Sequence, residues 1–323
     1  MKKLICVMLT VLLIASLFAG CGQTADDGVY KIAIVQQLDH ASLNEIRAAI
    51  EAELDAIAAE KGIAIEYKDF NGQNDPSVLN QIGAQVVSDG YDAIIPIATT
   101  AAQCMVTAAE GKNIPIIYAA VSDPAEAGLT GIANVTGVSD ALNTKQIMDM
   151  MFAINPDIQT VGLLYSNSEP NSVTPIREAK AYLEEKGIDY IDKTGNSVDE
   201  VTAAVSALVG RCDAVFTPTD NAIMNVAPTV AETLNAAGIP HYTGADSFVL
   251  AGSFTTCGVN YTELGTYAAQ MAMDILLGGE IGDYHVMDGG IITVNTDTAK
   301  ALGIDYSVFG SMANTVAEVT TTG

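Results

Sequence analysis

The sequence predicts an α/β protein of two similar, doubly wound parallel-sheet lobes joined by a hinge, and three observations predict it. First, the stretch YDAIIPIATTA at 91–101 returns as CDAVFTPTDNA at 212–222, an offset of 121 residues from Asp92 to Asp213. Second, the echo extends well past one strand. IPIIYAAVSD (114–123) is answered by IPHYTGADSF (239–248), and the segment 31–67 by the shorter 160–191, with Lys61-Gly62-Ile63 matching Lys186-Gly187-Ile188. A repeat this long is a whole folding unit, beyond the roughly 20–50 residues of a solenoid period. Third, the apolar runs IAIV (32–35), AIIPIA (93–98), PIIYAAV (115–121), VGLLY (161–165) and AVFTP (214–218) are continuous. Strands covered on both faces, as in parallel sheets, read this way.

From the start of the chain, Met1-Lys2-Lys3, an apolar stretch from Leu4 to Phe18, and Ala19-Gly20-Cys21 follow the plan of an export signal. The stretch is short for a bilayer span, which needs about 20 residues. Residues 22–28, GQTADDG, read as a flexible tether. Each half then alternates strand and helix. In the first helix Leu43, Ile46, Ala49, Ile50, Leu54 and Ile57 recur with a 3.6-residue period, and Lys61-Gly62 is a C-terminal stop. Such alternation builds doubly wound sheets with right-handed crossovers. Beyond the repeat come a helix over 264–277 and a strand at 290–295, read as elements that return to the earlier lobes. The expected boundaries are a signal peptide at 1–20, a tether at 21–29, lobe 1 at 30–143 with about 252–281, lobe 2 at 144–251 with about 282–310, and a tail at 311–323.

With 323 residues, 49% of them hydrophobic, there is material for two cores. The net charge of −25 becomes −27 when Lys2 and Lys3 leave with the signal. Nucleic acid is an unsuitable partner for such a surface. No metal-ligand spacing or phosphate loop is present, since TAAEGK (107–112) lacks the first glycine and the final hydroxyl residue, and no cofactor or metal is expected. After processing, Cys104, Cys212 and Cys257 remain as small buried hydrophobes, with a Cys212–Cys257 bridge left open.

In open sheets of this kind ligands bind beyond the carboxyl ends of the strands. The loops there are polar in both halves: Gln36 to His40, Thr99-Thr100 and Ser122-Asp123 in the first, SNSEPNS (166–172), Thr219-Asp220-Asn221 and Asp246-Ser247 in the second. Two facing edges make a cleft, with each copy of the repeat supplying one jaw.

The ordered set HASLNEIR, FNGQND, IATTAAQ, AAVSDPAEAGL, NVTGVSD, SNSEPNS, PTDNAI and GVNYTELG resembles the substrate-binding proteins of ABC transporters for tryptophan and related amino acids, a branch of the type I periplasmic-binding fold. The resemblance spans Lys31 to Asp305. Ala-Gly-Cys21 is similar to the lipobox of bacterial lipoproteins, although Phe18 stands where that pattern has Leu. Together these resemblances imply a lipid-anchored, extracytoplasmic receptor. It would hold one small amino acid-type ligand between two lobes and deliver it to a permease and ATPase, without chemistry on the solute. Gln36-Gln37-Leu38-Asp39-His40 departs from the more aromatic first loop of the family.

An amino acid needs acceptors for its ammonium and donors for its carboxylate. Asp220 is the first choice for the ammonium, with Asp123 and Asp246 behind it, set against the plain role of an Asp as a helix cap. Arginines are few, so helix N-termini at Thr99-Thr100 and at Asn171-Ser172 are the expected carboxylate donors. Glu169 belongs to the same polar stretch, Asn221 to the Asp220 loop, and Gln36, His40 and Ser122 complete the expected set. Three other functions compete. An enzyme on this scaffold would need a reactive pair near the loops, and Cys104 and Cys257 lie outside them. A sugar receptor would offer more aromatic faces, whereas this chain has no Trp and 7 Phe. A sensory ligand-binding domain would look alike in sequence.

Overall fold

In the computed structural model, residues 28–322 are described; the expected signal peptide, the lipidation site Cys21 and most of the tether lie outside them. The chain begins with β1 (Val29–Gln36), α1 (Ala41–Lys61), β2 (Ala64–Asn71), α2 (Pro76–Asp89), β3 (Ala93–Ile97), α3 (Thr99–Ala108), β4 (Ile116–Ala119) and β5 (Val135–Ser139). It crosses into α4 (Thr144–Ile154), β6 (Thr160–Tyr165), a 3-10 turn (Pro170–Ser172), α5 (Val173–Lys186), β7 (Asp189–Thr194), α6 (Val198–Ser206) and β8 (Ala214–Thr217). Next come α7 (Asn221–Met224), α8 (Ala227–Ala236), β9 (His241–Thr243), α9 (Asp246–Leu250) and β10 (Thr255–Gly258). The last elements are α10 (Tyr261–Leu276), β11 (His285–Val286), β12 (Ile291–Asn295), α11 (Thr296–Leu302), a second 3-10 turn (Ser307–Ser311) and β13 (Thr315–Val319).

Two sheets result, ordered β11-β5-β4-β3-β1-β2 and β13-β12-β10-β9-β8-β6-β7. Pairing is parallel throughout except for β10 against β12. Read from β2 and β7, the two sheets share one strand order. In each, the order reverses beside the first strand of the lobe, which is the topological switch point where open sheets bind ligands.

Period and stop signals explain the helices. α1 buries Leu43, Ile46, Ile50, Leu54 and Ile57 and ends at Gly62, whose φ of 65° is left-handed and whose N–H bonds to the Ala58 carbonyl. α10 packs along α1. Close approach there depends on Gly265, where a Cβ would fall 2.4 Å from the Ile46 carbonyl oxygen. One apolar cluster covers the α1 and α10 side of lobe 1 and continues through Phe248 and Ala245 into lobe 2, while two others fill the remaining faces.

The expected boundaries need two corrections. Thr255–Gly258 belongs to the second sheet, so the crossing into lobe 1 falls at 258–261 rather than near 252. His285-Val286 pairs with β5 in the first sheet, so the third crossing follows residue 286 rather than 281. The tail, which the sequence leaves open between an ordered edge and a frayed end, contains β13, an edge strand parallel to β12. All three segments are two to five residues long, too short for a periodic signal; their partners define them. Cys104, Cys212 and Cys257 are free thiols, which removes the bridge left open by the sequence. Among the described residues no helix is long and apolar enough to cross a membrane.

Candidate functional site

Between the sheet edges lies a cavity of about 30 Å³, far below the roughly 300–1,000 Å³ typical of small-molecule sites, so the lobes must part to admit a solute. Lobe 1 lines it with His40, Ser42 and Leu43 from the start of α1, Ala98 and Thr99 after β3, Ala120 and Ser122 after β4, and Asp140 after β5. Lobe 2 contributes Asn171, the run Thr219-Asp220-Asn221, Met224, and Ala245, Ser247 and Phe248; Tyr261, at the hinge end of α10, closes it. Ala98 (φ 78°) and Ala120 (φ 57°) hold a left-handed backbone that side chains disfavour. Strain of this kind, concentrated at a ligand cleft, marks a position the surrounding fold over-determines.

The polar wall is incompletely bonded. His40 Nδ1, Thr99 Oγ1, Asn171 Oδ1 and Ser247 Oγ are buried without a hydrogen-bond partner among the described residues. Buried polar atoms are nearly always paired, so four orphans around one cavity point to a polar ligand. Asp140 is the carboxylate with room to spare. Its Oδ1 accepts one side-chain bond, from Ser122 Oγ at 3.0 Å. Because that uses the Ser122 proton, Thr219 of the opposite lobe donates to Ser122 Oγ across 3.1 Å. Burial pushes the Asp140 carboxyl up to about 6, against the Ser122 bond.

Residues 31–311 match the family of ABC transporter substrate binding proteins. The chain belongs to that family, one of solute-binding receptors rather than enzymes. This substrate-binding protein is 31% identical over 320 residues to the tyrosine-binding protein of Clostridioides difficile, covering 93% of this chain and 92% of that one. Among solved structures it is similar, with a TM-score of 0.82 and 31% identity, to an ABC domain in complex with L-Trp from Streptococcus pneumonia, across 89% of this chain and 99% of that one. It is less similar to a ligand-free, open substrate binding protein with adhesive properties from Clostridium difficile, with a TM-score of 0.69 at 30% identity over 91% and 100% of the two chains.

The lobes of the substrate-binding protein meet across the cleft. Ser42 Oγ donates to Asp246 at 2.8 Å, Gln37 Nε2 to Glu169 at 3.2 Å and Thr174 Oγ1 to Asp123 at 2.7 Å, while His40 Nε2 lies 3.3 Å from Asn221 Oδ1.

Of the residues expected from sequence, His40, Thr99, Ser122, Asn171, Asp220 and Asn221 line the cavity. Asp220, the first choice for a ligand ammonium, is already engaged. Its oxygens accept from the Ser166 N–H (2.7 Å), the Ser172 hydroxyl (2.7 Å) and the Ile223 N–H (3.0 Å), which makes it the cap of α7. Ser172 thus serves Asp220, and Asn171 Nδ2 donates to the Thr219 carbonyl. Glu169 sits behind the wall, held by Gln37 and Asn221; burial and the Asp220 charge push its carboxyl up to about 8. Gln36 braces the first loop, donating to the Leu38 carbonyl (2.6 Å) and Asn44 (2.7 Å) and accepting from Arg47. Thr100 gives its N–H to Gln37. Asp123 holds the turn at 125–126 on the rim. There burial, which raises its pKa, is outweighed by the Glu126, Thr174 and Ala125 bonds that lower it. Asp246 faces a separate hinge groove with Glu45 and Tyr261.

Sequence reasoning passed over Asp140, Tyr261 and Phe248, and named Ser247 only as a member of a polar loop. Asp140 ends the quoted segment NVTGVSD at the carboxyl edge of a strand, which is the signal that could have found it. Among the described residues no group of three or more His, Cys, Asp or Glu is placed to hold a metal ion.

Proposed function

We propose that this protein captures one aromatic amino acid between its lobes and hands it to a membrane permease and ATPase, working outside the cell membrane on a lipid anchor at Cys21. The observation that carries the ligand class is the cavity itself. It pairs one under-bonded, buried carboxylate, Asp140, with orphaned side-chain atoms of Thr99, Asn171 and Ser247, and sets both against the apolar Leu43, Met224, Phe248 and Tyr261. An ammonium paired with Asp140 converts a costly buried charge into a charge-assisted hydrogen bond. The hydroxyls and the N-terminus of α3 suit the ligand carboxylate, and the rings and aliphatic chains suit an aromatic side chain. Support comes also from the named ligands of the two relatives, tyrosine and L-Trp. The greater likeness to the L-Trp complex than to the open, ligand-free structure agrees with closed lobes.

Ligand binding then shifts a population between open and closed lobes, because contacts to both jaws exist only on closure. The test is calorimetric titration with L-tyrosine and L-tryptophan, with sugars as controls. Saturable binding of the aromatic amino acids, weakened at least tenfold (~1.4 kcal/mol) in Asp140→Asn with melting temperature preserved, is expected. Silence with both amino acids and binding of a sugar would overturn the ligand class while leaving the receptor fold in place.

A further inference from the structure

The end of the cavity that receives a ring follows from which side chains share a helix face. His40 caps α1 and Leu43 lies in its first turn, while Asn221 and Met224 span α7. The three-residue spacing puts each pair on one side of its helix. All four line the cavity together with Phe248. Ser122, Asp140 and Thr219 are tied to one another by their own hydrogen bonds and form the head-group end.

His40 is half-buried, and its two ring nitrogens differ. Nε2 meets Asn221 Oδ1 across the cleft, whereas Nδ1 has no partner among the described residues. Asn221 Nδ2 donates to Glu169 Oε2 at 2.9 Å, and Glu169 Oε1 accepts from Gln37 Nε2. With its amide turned this way Asn221 Oδ1 can only accept. The single proton of the neutral imidazole is therefore on Nε2, and Nδ1 is a bare acceptor. Burial keeps the ring neutral by lowering its pKa to about 4.

We propose that Glu169, Asn221 and His40 form a hydrogen-bond relay across the cleft that reads the polar atom at the end of the ligand's aromatic side chain, and that the relay selects a phenol over an indole or a plain phenyl ring. The proposal rests on the aromatic amino-acid reading above. Its selectivity comes from the two senses the relay can take. With Glu169 ionised, Nδ1 accepts. With Glu169 protonated, its O–H donates to Asn221 Oδ1 after the amide turns over, Asn221 Nδ2 donates to Nε2, and the imidazole proton resides on Nδ1, which then donates. A phenol hydroxyl both donates and accepts, an indole N–H only donates, and a phenyl ring does neither. Only the phenol satisfies both senses.

Burial and Asp220 push Glu169 up to about 8, so both senses are populated around neutral pH. The other charged groups facing the relay are Asp39 beside His40 on the first loop, Asp220 at the start of α7, and Asp140 from β5 across the cavity. Asp220 is held by three donors, and Asp140 is pushed up only to about 6.

Tyrosine, tryptophan and phenylalanine titrated into the purified protein at about pH 6.5 and pH 8.5 test this. At the lower pH tyrosine is expected to bind about tenfold or more tighter than the other two, since an unpaired buried nitrogen is left with either. At the higher pH tryptophan closes on tyrosine, and phenylalanine stays weak. Glu169→Gln, whose amide donates to Asn221 as the protonated acid does, is expected to keep the low-pH pattern at both values. His40→Leu is expected to erase the preference for tyrosine over phenylalanine. Equal binding of tyrosine and phenylalanine overturns the relay. So does a folded His40→Leu protein that keeps the preference, or a tryptophan-to-tyrosine ratio flat with pH and unchanged by Glu169→Gln. Failure of all three amino acids to bind overturns instead the ligand class beneath it, and the proposal falls with that reading.

Discussion

At the end of β3 the chain reads Ala98-Thr99-Thr100; at the end of β8, 121 residues on, it reads Thr219-Asp220-Asn221, with Thr99 and Asp220 in register. Both side chains are buried and both line the cavity. Yet Thr99 Oγ1 has no hydrogen-bond partner among the described residues, whereas the Asp220 carboxylate receives three donors from its own lobe. The same topological position has thus been left open in one lobe and closed in the other. Position in the fold brings a residue to the cleft, and the hydrogen bonds it already makes decide whether a ligand can use it.

Substitutions at the paired positions sharpen this contrast. Asp220→Ala strands three buried donors and removes a helix cap, and is expected to cost about 2 kcal/mol of unfolding free energy in urea; unchanged stability with lost binding would move Asp220 back into the site. The buried acids come next. Glu169, raised from its usual value of 4.5 to about 8, and Asp140, raised from 3.8 to about 6, bind protons in the folded chain that the unfolded chain has released. Stability therefore falls as pH rises through those windows, from about 4 to 6 for Asp140 and on to about 8 for Glu169, with a limiting slope of about 1.4 kcal/mol per pH unit for each proton. Glu169→Gln is expected to flatten the thermal-melting profile above about pH 6, and a parent profile already flat there would remove the effect.

Thr99→Val fills nearly the same volume and breaks no protein bond. It should leave the melting temperature in place while weakening ligand about fivefold, the worth of one neutral hydrogen bond. A loss of stability instead would show that its hydroxyl serves the fold. Smallest is Arg177→Ala. The Arg177–Glu126 pair spans the lobes at 3.3 Å, with side-chain exposures of 58% and 42%, and screening by solvent leaves such a pair little to contribute. Affinity should change less than twofold, and a larger change would give the rim a part in closure.

Much of this architecture was legible in the residues. Continuous apolar runs marked the central strands, and Lys61-Gly62 and Lys186-Gly187 marked matching helix ends, because burial on both sheet faces and left-handed helix caps leave local patterns. The loops at the carboxyl edges were legible too, and six of the expected residues reach the cavity. The choice among carboxylates was not. Asp220, Asp140 and Glu169 all stand near strand ends or in the polar loops, and nothing local separates a saturated cap from an open acceptor. Phe248 and Tyr261 were passed over because short helices and hinge segments carry no period.

By itself, then, the sequence determined two doubly wound lobes with polar, facing edges, since strand burial, helix period and the repeat are read from neighbours along the chain. Only the tertiary structure decided which edge residues remain for a ligand. That depends on hydrogen bonds closed between distant segments, such as Gln37 to Glu169 across 132 residues and Ser122 to Thr219 across 97, and the completeness of a polar group's bonding is a property of the packed molecule.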